Sequence, residues 1–156
     1  MIPYAMIPYR NRYLTGSRLQ IFLAAADCII PPEGKGPGGG TSATAGAADW
    51  ALAGMDPPLR RRLLLFLQVV QLLGFAFGGR PFTRNSRSDQ CRQLSWMENG
   101  PVPAFRMGFF GLKSYVCMGY YTREEIWATI GYGGPMEPNR PFPDPSIRLL
   151  CREVTR

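Results

Sequence analysis

Four cysteines, eleven carboxylates and no histidine are what this 156-residue chain offers for chemistry. Thiolates hold a metal or exchange disulfides only when the spacing brings them together. Cys28, Cys91, Cys117 and Cys151 stand far apart, and no two fit a metal-ligand or Cys-x-x-Cys spacing. Cys28 and Cys117 instead fall on apolar helical patterns and read as small core residues. Without imidazole there is no histidine ligand for zinc or haem and no base for a serine or cysteine triad. The carboxylates best placed to act alone, Asp27, Glu33, Asp49 and Glu98, fall on polar helix faces or loops and form no evident acid-base pair. Gly34, Gly36 and Gly39 have the spacing of a dinucleotide fingerprint, but Pro31 and Pro32 precede them. That motif needs a strand before it and a helix N-terminus after it to present amides to a pyrophosphate, so the match reads as chance. These residues predict no catalytic side chain, no metal and no cofactor in this chain.

Charge narrows the remaining classes. The formal net charge is +7 with an isoelectric point near 9.6, and apart from Lys35 and Lys113 the cations are arginines. Arginine forms flat bidentate contacts with carboxylate or phosphate and stacks on aromatic rings, so it suits a protein interface as well as a nucleic acid. A nucleic-acid reading would draw on Arg60 to Arg62 and on Arg80, Arg84, Arg87 and Arg92, which belong to no recognisable reading motif.

The elements that must position these side chains follow from periodicity. Leu19, Phe22, Leu23, Ala26, Ile29 and Ile30 recur at helical spacing and predict a helix over 17–30, ended by Pro31 and Pro32. A glycine- and proline-rich loop follows, then a short helix over 45–53 carrying Trp50. Asp56 and Pro57 open a helix that runs to Phe77 and stops at Gly78 and Gly79. No charge falls between Arg62 and Arg80, which raises a membrane span and, with it, a small component of a membrane-bound electron-transfer complex anchored through 63–79. The run is at the lower limit of a span, Gln68 and Gln71 interrupt it and arginines crowd both ends, so the expectation is a central buried helix.

Ser86 with Asp89 opens a further helix, closed by Asn99 to Pro101. From Pro103 onward, Phe105, Phe109, Leu112, Val116 and Tyr120 form a core-facing stripe, with Gly108 and Gly111 admitting a close neighbour. Thr122 and Glu125 read as a capping box for a short helix over 123–130 that Gly131 ends in the left-handed region. The prediction is an all-α fold of five or six helices over 17–135. An N-terminal extension, 1–16, precedes it and an extended proline-rich arm, 136–156, follows. "MIPYAMIPYR" offers Met1 and Met6 as starts and has no secretory pattern.

The segments "AAADCIIPPEG", "FGGRPFTR" and above all "GLKSYVCMGYYTREEIWATIGYGGP" resemble the small subunit of flavin-dependent dehydrogenases of the gluconate 2-dehydrogenase type. The resemblance is nearest to versions that accompany FAD oxidoreductases of the glucose-methanol-choline class. It implies a non-catalytic subunit that binds no flavin itself and stabilises or matures a large FAD-bearing partner. The twin-arginine leader of many members is not visible, which implies the cytoplasm or the inner face of the cytoplasmic membrane. Docking is then expected at Arg80, Phe82, Tyr120, Tyr121, Trp127, Tyr132, Gly133, Gly134, Pro135 and Phe142. These draw on the residue types enriched at interface centres and on the turn after Gly131.

Overall fold

The computed structural model describes residues 10–32 and 36–132. The expected proline-rich arm, Cys151, Glu33 and both candidate start residues lie outside the described residues. Among those described there are six α-helices and no strand, so the fold is all-α. The helices are α1 (Gly16–Ile29), α2 (Ser42–Ala53), α3 (Pro57–Gly78), α4 (Arg87–Asn99), α5 (Pro103–Tyr121) and α6 (Glu124–Thr129), with a 3₁₀ turn at Phe82–Arg84 between α3 and α4.

Local signals account for most of the ends. Thr41 accepts the amide of Thr44 at 3.2 Å at the start of α2, and Ser86 accepts that of Asp89 at 3.2 Å at the start of α4. Pro57 and Pro103 open α3 and α5 at positions where a missing amide costs nothing. Gly79 closes α3 with φ of 70°.

The helix at the centre is α1, not α3 as the apolar run predicts. α1 packs on α2, α3, α4 and α5 and on the 3₁₀ turn. It contributes Ile21, Phe22, Ala25 and Ala26 to a core completed by Leu52, Leu67, Val70, Phe82, Met97, Leu112 and Val116. α3 lies on the outside, and only 28% of its most apolar eighteen-residue stretch is buried. Leu64, Phe66, Leu67, Val70 and Gly74 face inward, while Leu65 and Leu72 are 65% and 66% exposed. Five companions, none longer than 19 residues, cannot wrap a 22-residue helix on all sides when one of them already occupies the middle.

Two close approaches lock this arrangement. A Cβ on Gly119 would stand 2.4 Å from the Thr44 carbonyl oxygen, so α5 crosses α2 backbone to backbone. A Cβ on Gly74 would stand 2.2 Å from the Phe82 amide nitrogen, which lets the chain after α3 fold straight back onto it. Of the two glycines expected to admit a neighbour in α5, Gly108 meets the Phe66 ring, whereas Gly111 makes only ordinary contact with Leu63.

The packed fold also starts before residue 17. Leu14 is core, and the backbone amides of Arg12, Tyr13 and Leu14 all donate to the buried carboxylate of Asp49 at 2.8, 2.8 and 2.5 Å. The boundary expected at 16 is therefore too late. Residues 11–14 belong to the domain.

Candidate docking surface

Among the described residues, the candidate carboxylates Asp27, Asp49 and Glu98 are engaged by the fold. Asp27 pairs with Arg87 at 2.6 Å, and Arg87 also donates to the Asp27 carbonyl at 2.7 Å, tying α4 to the end of α1. Glu98 accepts Lys113 at 2.7 Å between α4 and α5, and Asp49 holds the three amides already described. Sequence spacing concealed one proximity: Cys28 on α1 and Cys91 on α4 line one small cleft. Burial above all, and then the neighbouring Cys91 thiol, pushes the Cys28 thiol from 9.0 up to about 12. A thiol held protonated in this way is a poor nucleophile and a poor metal ligand. No group of three or more His, Cys, Asp or Glu able to hold a metal occurs among the described residues.

The glycine loop is likewise packed. Gly39 donates to the Ile30 carbonyl at 2.7 Å, and Cβ atoms on Gly39 and Gly40 would run into the Ala26 and Leu23 carbonyls. Gly39 and Gly40 lie against the end of α1, and Gly36 lies by the Tyr120 hydroxyl; Gly34 lies outside the described residues.

What remains on the surface is aromatic. At the end of α5 two consecutive tyrosines part company. Tyr120 is buried and donates its hydroxyl to the Pro37 carbonyl at 2.7 Å, while Tyr121 turns outward, 44% exposed, with its ring edge-on to Tyr120 at 5.1 Å. α6 begins at Glu124, one residue later than the capping-box reading, with Arg123 at its N-cap. The buried Arg123 side chain reaches Thr41 at 3.2 Å and pairs with Glu125, and Ile126 is fully buried, so α6 is fastened to the start of α2.

The Trp127 indole N–H donates to the Tyr121 carbonyl at 2.7 Å. Gly131 takes φ of 71°, and the Tyr132 amide then donates to the Trp127 carbonyl at 2.9 Å. This six-to-one bond is the Schellman closure that a left-handed glycine permits. It sets the Tyr132 ring edge-on to Trp127 at 5.4 Å and leaves it 49% exposed. Ile130 beside it is also exposed, at 54%.

Two expected docking residues are thereby corrected. Phe82 is fully buried under α3, where Gly74 admits its backbone, and Tyr120 keeps only 6% of its surface. Both hold the fold together and cannot meet a partner without undoing it. Arg80 is exposed just after α3, in a different element from the Tyr121, Trp127 and Tyr132 cluster. Gly133, Gly134, Pro135 and Phe142 lie outside the described residues.

A second exposed apolar surface was missed by the sequence reading. Leu65, Val69 and Leu72 follow one another at helical spacing along the outer side of α3, with Phe75 beside them. Leu59 and Met107 rim a cleft of about 360 Å³ between α3 and α5. The signal that could have found it was the row of Leu65, Val69 and Leu72 lying on a different side of α3 from Leu67 and Val70. No known family, curated protein or solved structure matches the chain.

Proposed function

We propose that this chain is a non-catalytic small subunit that binds and stabilises, or helps mature, a large FAD-dependent dehydrogenase of the glucose-methanol-choline class, with the flavin carried by that partner. The observation that carries the reading is the rigid presentation of Tyr132. A residue on a tight turn closed by a backbone bond and braced by a second aromatic ring loses little further freedom on docking. Tyrosine and tryptophan are the residues that most often dominate interface energies. Together Tyr121, Trp127, Ile130 and Tyr132 offer an apolar patch with hydroxyl groups at its edge, the composition of an interface core. The buried Arg123 and Ile126 keep α6 in place before any partner arrives.

Co-expression of the tagged chain with a large subunit of this class tests the reading. The eluted complex should carry the flavin absorbance, and the chain purified alone should be colourless. Failure of any such subunit to co-elute, or a flavin band retained by the chain alone, overturns it.

A further inference from the structure

Among the described residues, α3 presents a face that the other elements leave bare. Leu65, Val69 and Leu72 run along it, and Phe75 extends it towards the C-terminal end. One of the two polar interruptions that argued against lipid contact is neutralised by the fold: Gln71 is closed on Thr83 by two hydrogen bonds, at 3.0 and 3.1 Å, so its amide needs no water, while Gln68, half-buried, lies among the apolar residues of the stripe.

Along the sequence, the charges carried by this segment are of one sign. Between Asp56 and Asp89 there is no acidic residue, and the segment holds six arginines. Arg60 is occupied by carbonyl oxygens around the end of α2, and Arg87 by Asp27 at the surface. Arg61 and Arg62 precede the stripe, Arg80 and Arg84 follow it, and none of these four is in a salt bridge among the described residues. Lipid phosphates are matched by such a pattern, in which an apolar strip is bracketed by guanidinium groups free to take a bidentate phosphate.

We propose that the outer face of α3 docks in plane on an anionic phospholipid surface. The helix has the length and composition of a span, but its opposite face carries Leu67 and Val70 into the core against α1 and α4. Lying in the headgroup region buries the apolar stripe and keeps that packing; crossing the bilayer would destroy it. The inference does not depend on the dehydrogenase partner, because it rests on a face remote in sequence from Tyr132.

The test is sedimentation of the full chain with vesicles of phosphatidylglycerol in phosphatidylcholine, against vesicles of phosphatidylcholine alone. The chain should pellet with the anionic vesicles, and raising the salt should release it. The double substitution Leu65→Ser and Leu72→Ser should lower the partition coefficient at least about tenfold while leaving the circular dichroism melt in place, since both side chains point to solvent. Arg61→Glu with Arg62→Glu should abolish the preference for phosphatidylglycerol. Alkaline carbonate should strip the protein from membranes, whereas retention in the pellet would mean a span and overturn in-plane docking.

Other occupants give other results. A concentration-dependent dimer lost in the double serine variant, without vesicle binding, assigns the face to a second copy. Loss of the flavoprotein partner in that variant, again without vesicle binding, assigns it to the large subunit. Either result overturns the proposal.

Discussion

The hydroxyl of Tyr120 donates to the carbonyl of Pro37 at 2.7 Å, joining the end of α5 to a loop 83 residues earlier. Gly36 sits against the same hydroxyl, so the loop is held by α5. Tyr120→Phe keeps the buried ring and removes the bond, and should lower stability by about 0.5 to 1.5 kcal/mol in urea unfolding. Partner affinity should be unchanged. A large loss of partner binding without a loss of stability would return Tyr120 to the docking surface.

Tyr132 and Trp127 should separate in the same way. Tyr132→Ala removes a half-exposed ring, so the melt of the lone chain should hardly move, while affinity for the large subunit should fall by about thirtyfold, or 2 kcal/mol. Trp127→Ala also strips the indole bond to the Tyr121 carbonyl and should lower the melting temperature as well. Surface plasmon resonance beside calorimetry reads both quantities. An early melt for Tyr132→Ala would show that ring to be structural.

Two leucines of one helix give an internal control for α3. Leu67 is 1% exposed and Leu72 is 66% exposed. Leu67→Ala should cost about 2 to 5 kcal/mol, and Leu72→Ala should stay within about 0.5 kcal/mol of the parent in the absence of membranes and partner. Similar costs at both positions would mean that the outer face is covered even in the isolated chain.

The cysteine pair predicts an alkaline limit. Burial penalises the Cys28 thiolate in the fold, raising its pKa from 9.0 to about 12, while the unfolded chain ionises at the ordinary value. The stability this contributes is complete below about pH 9 and is lost as the pH climbs toward 12. Tyr115 and Tyr120, also raised by burial, act in the same direction. Cys28→Ala should therefore flatten part of the fall in urea midpoint between neutral and strongly alkaline buffer. Alkylation of Cys28 by iodoacetamide in the native chain should be slow at neutral pH compared with the unfolded chain. Rapid labelling of the native chain would contradict the half-buried, protonated thiol.

Helices were legible because their signals are local. Pro57, Gly79, Ser86 and Pro103 each mark a helix end through the residues immediately beside them. The stripe of Phe109, Leu112, Val116 and Tyr120 could be read for the same reason, since one apolar face of α5 meets one core. The fate of α3 was not legible. Whether Leu72 is inside or outside depends on which helix occupies the centre, and α1 takes that place through the small Ala25 and Ala26, which carry little weight in an apolar pattern. The Asp49 latch is silent in sequence, because its three donors are backbone amides that any residues would supply. Phe82 looked like a surface aromatic beside Arg80, yet Gly74, eight positions earlier, decides that it goes under the helix.

The Asp49 carboxylate also imposes an order of events on synthesis. Its partners emerge from the ribosome some 35 residues before it does. α1 can coil as it appears, but its leading strand of chain has nothing to close on until α2 has formed. The latch is thus a late, non-local step in the nascent chain, of the sort that slows folding. A ribosome-stalled chain ending before residue 49 should exchange the amide protons of Arg12, Tyr13 and Leu14 freely, and one extended through α2 should begin to protect them.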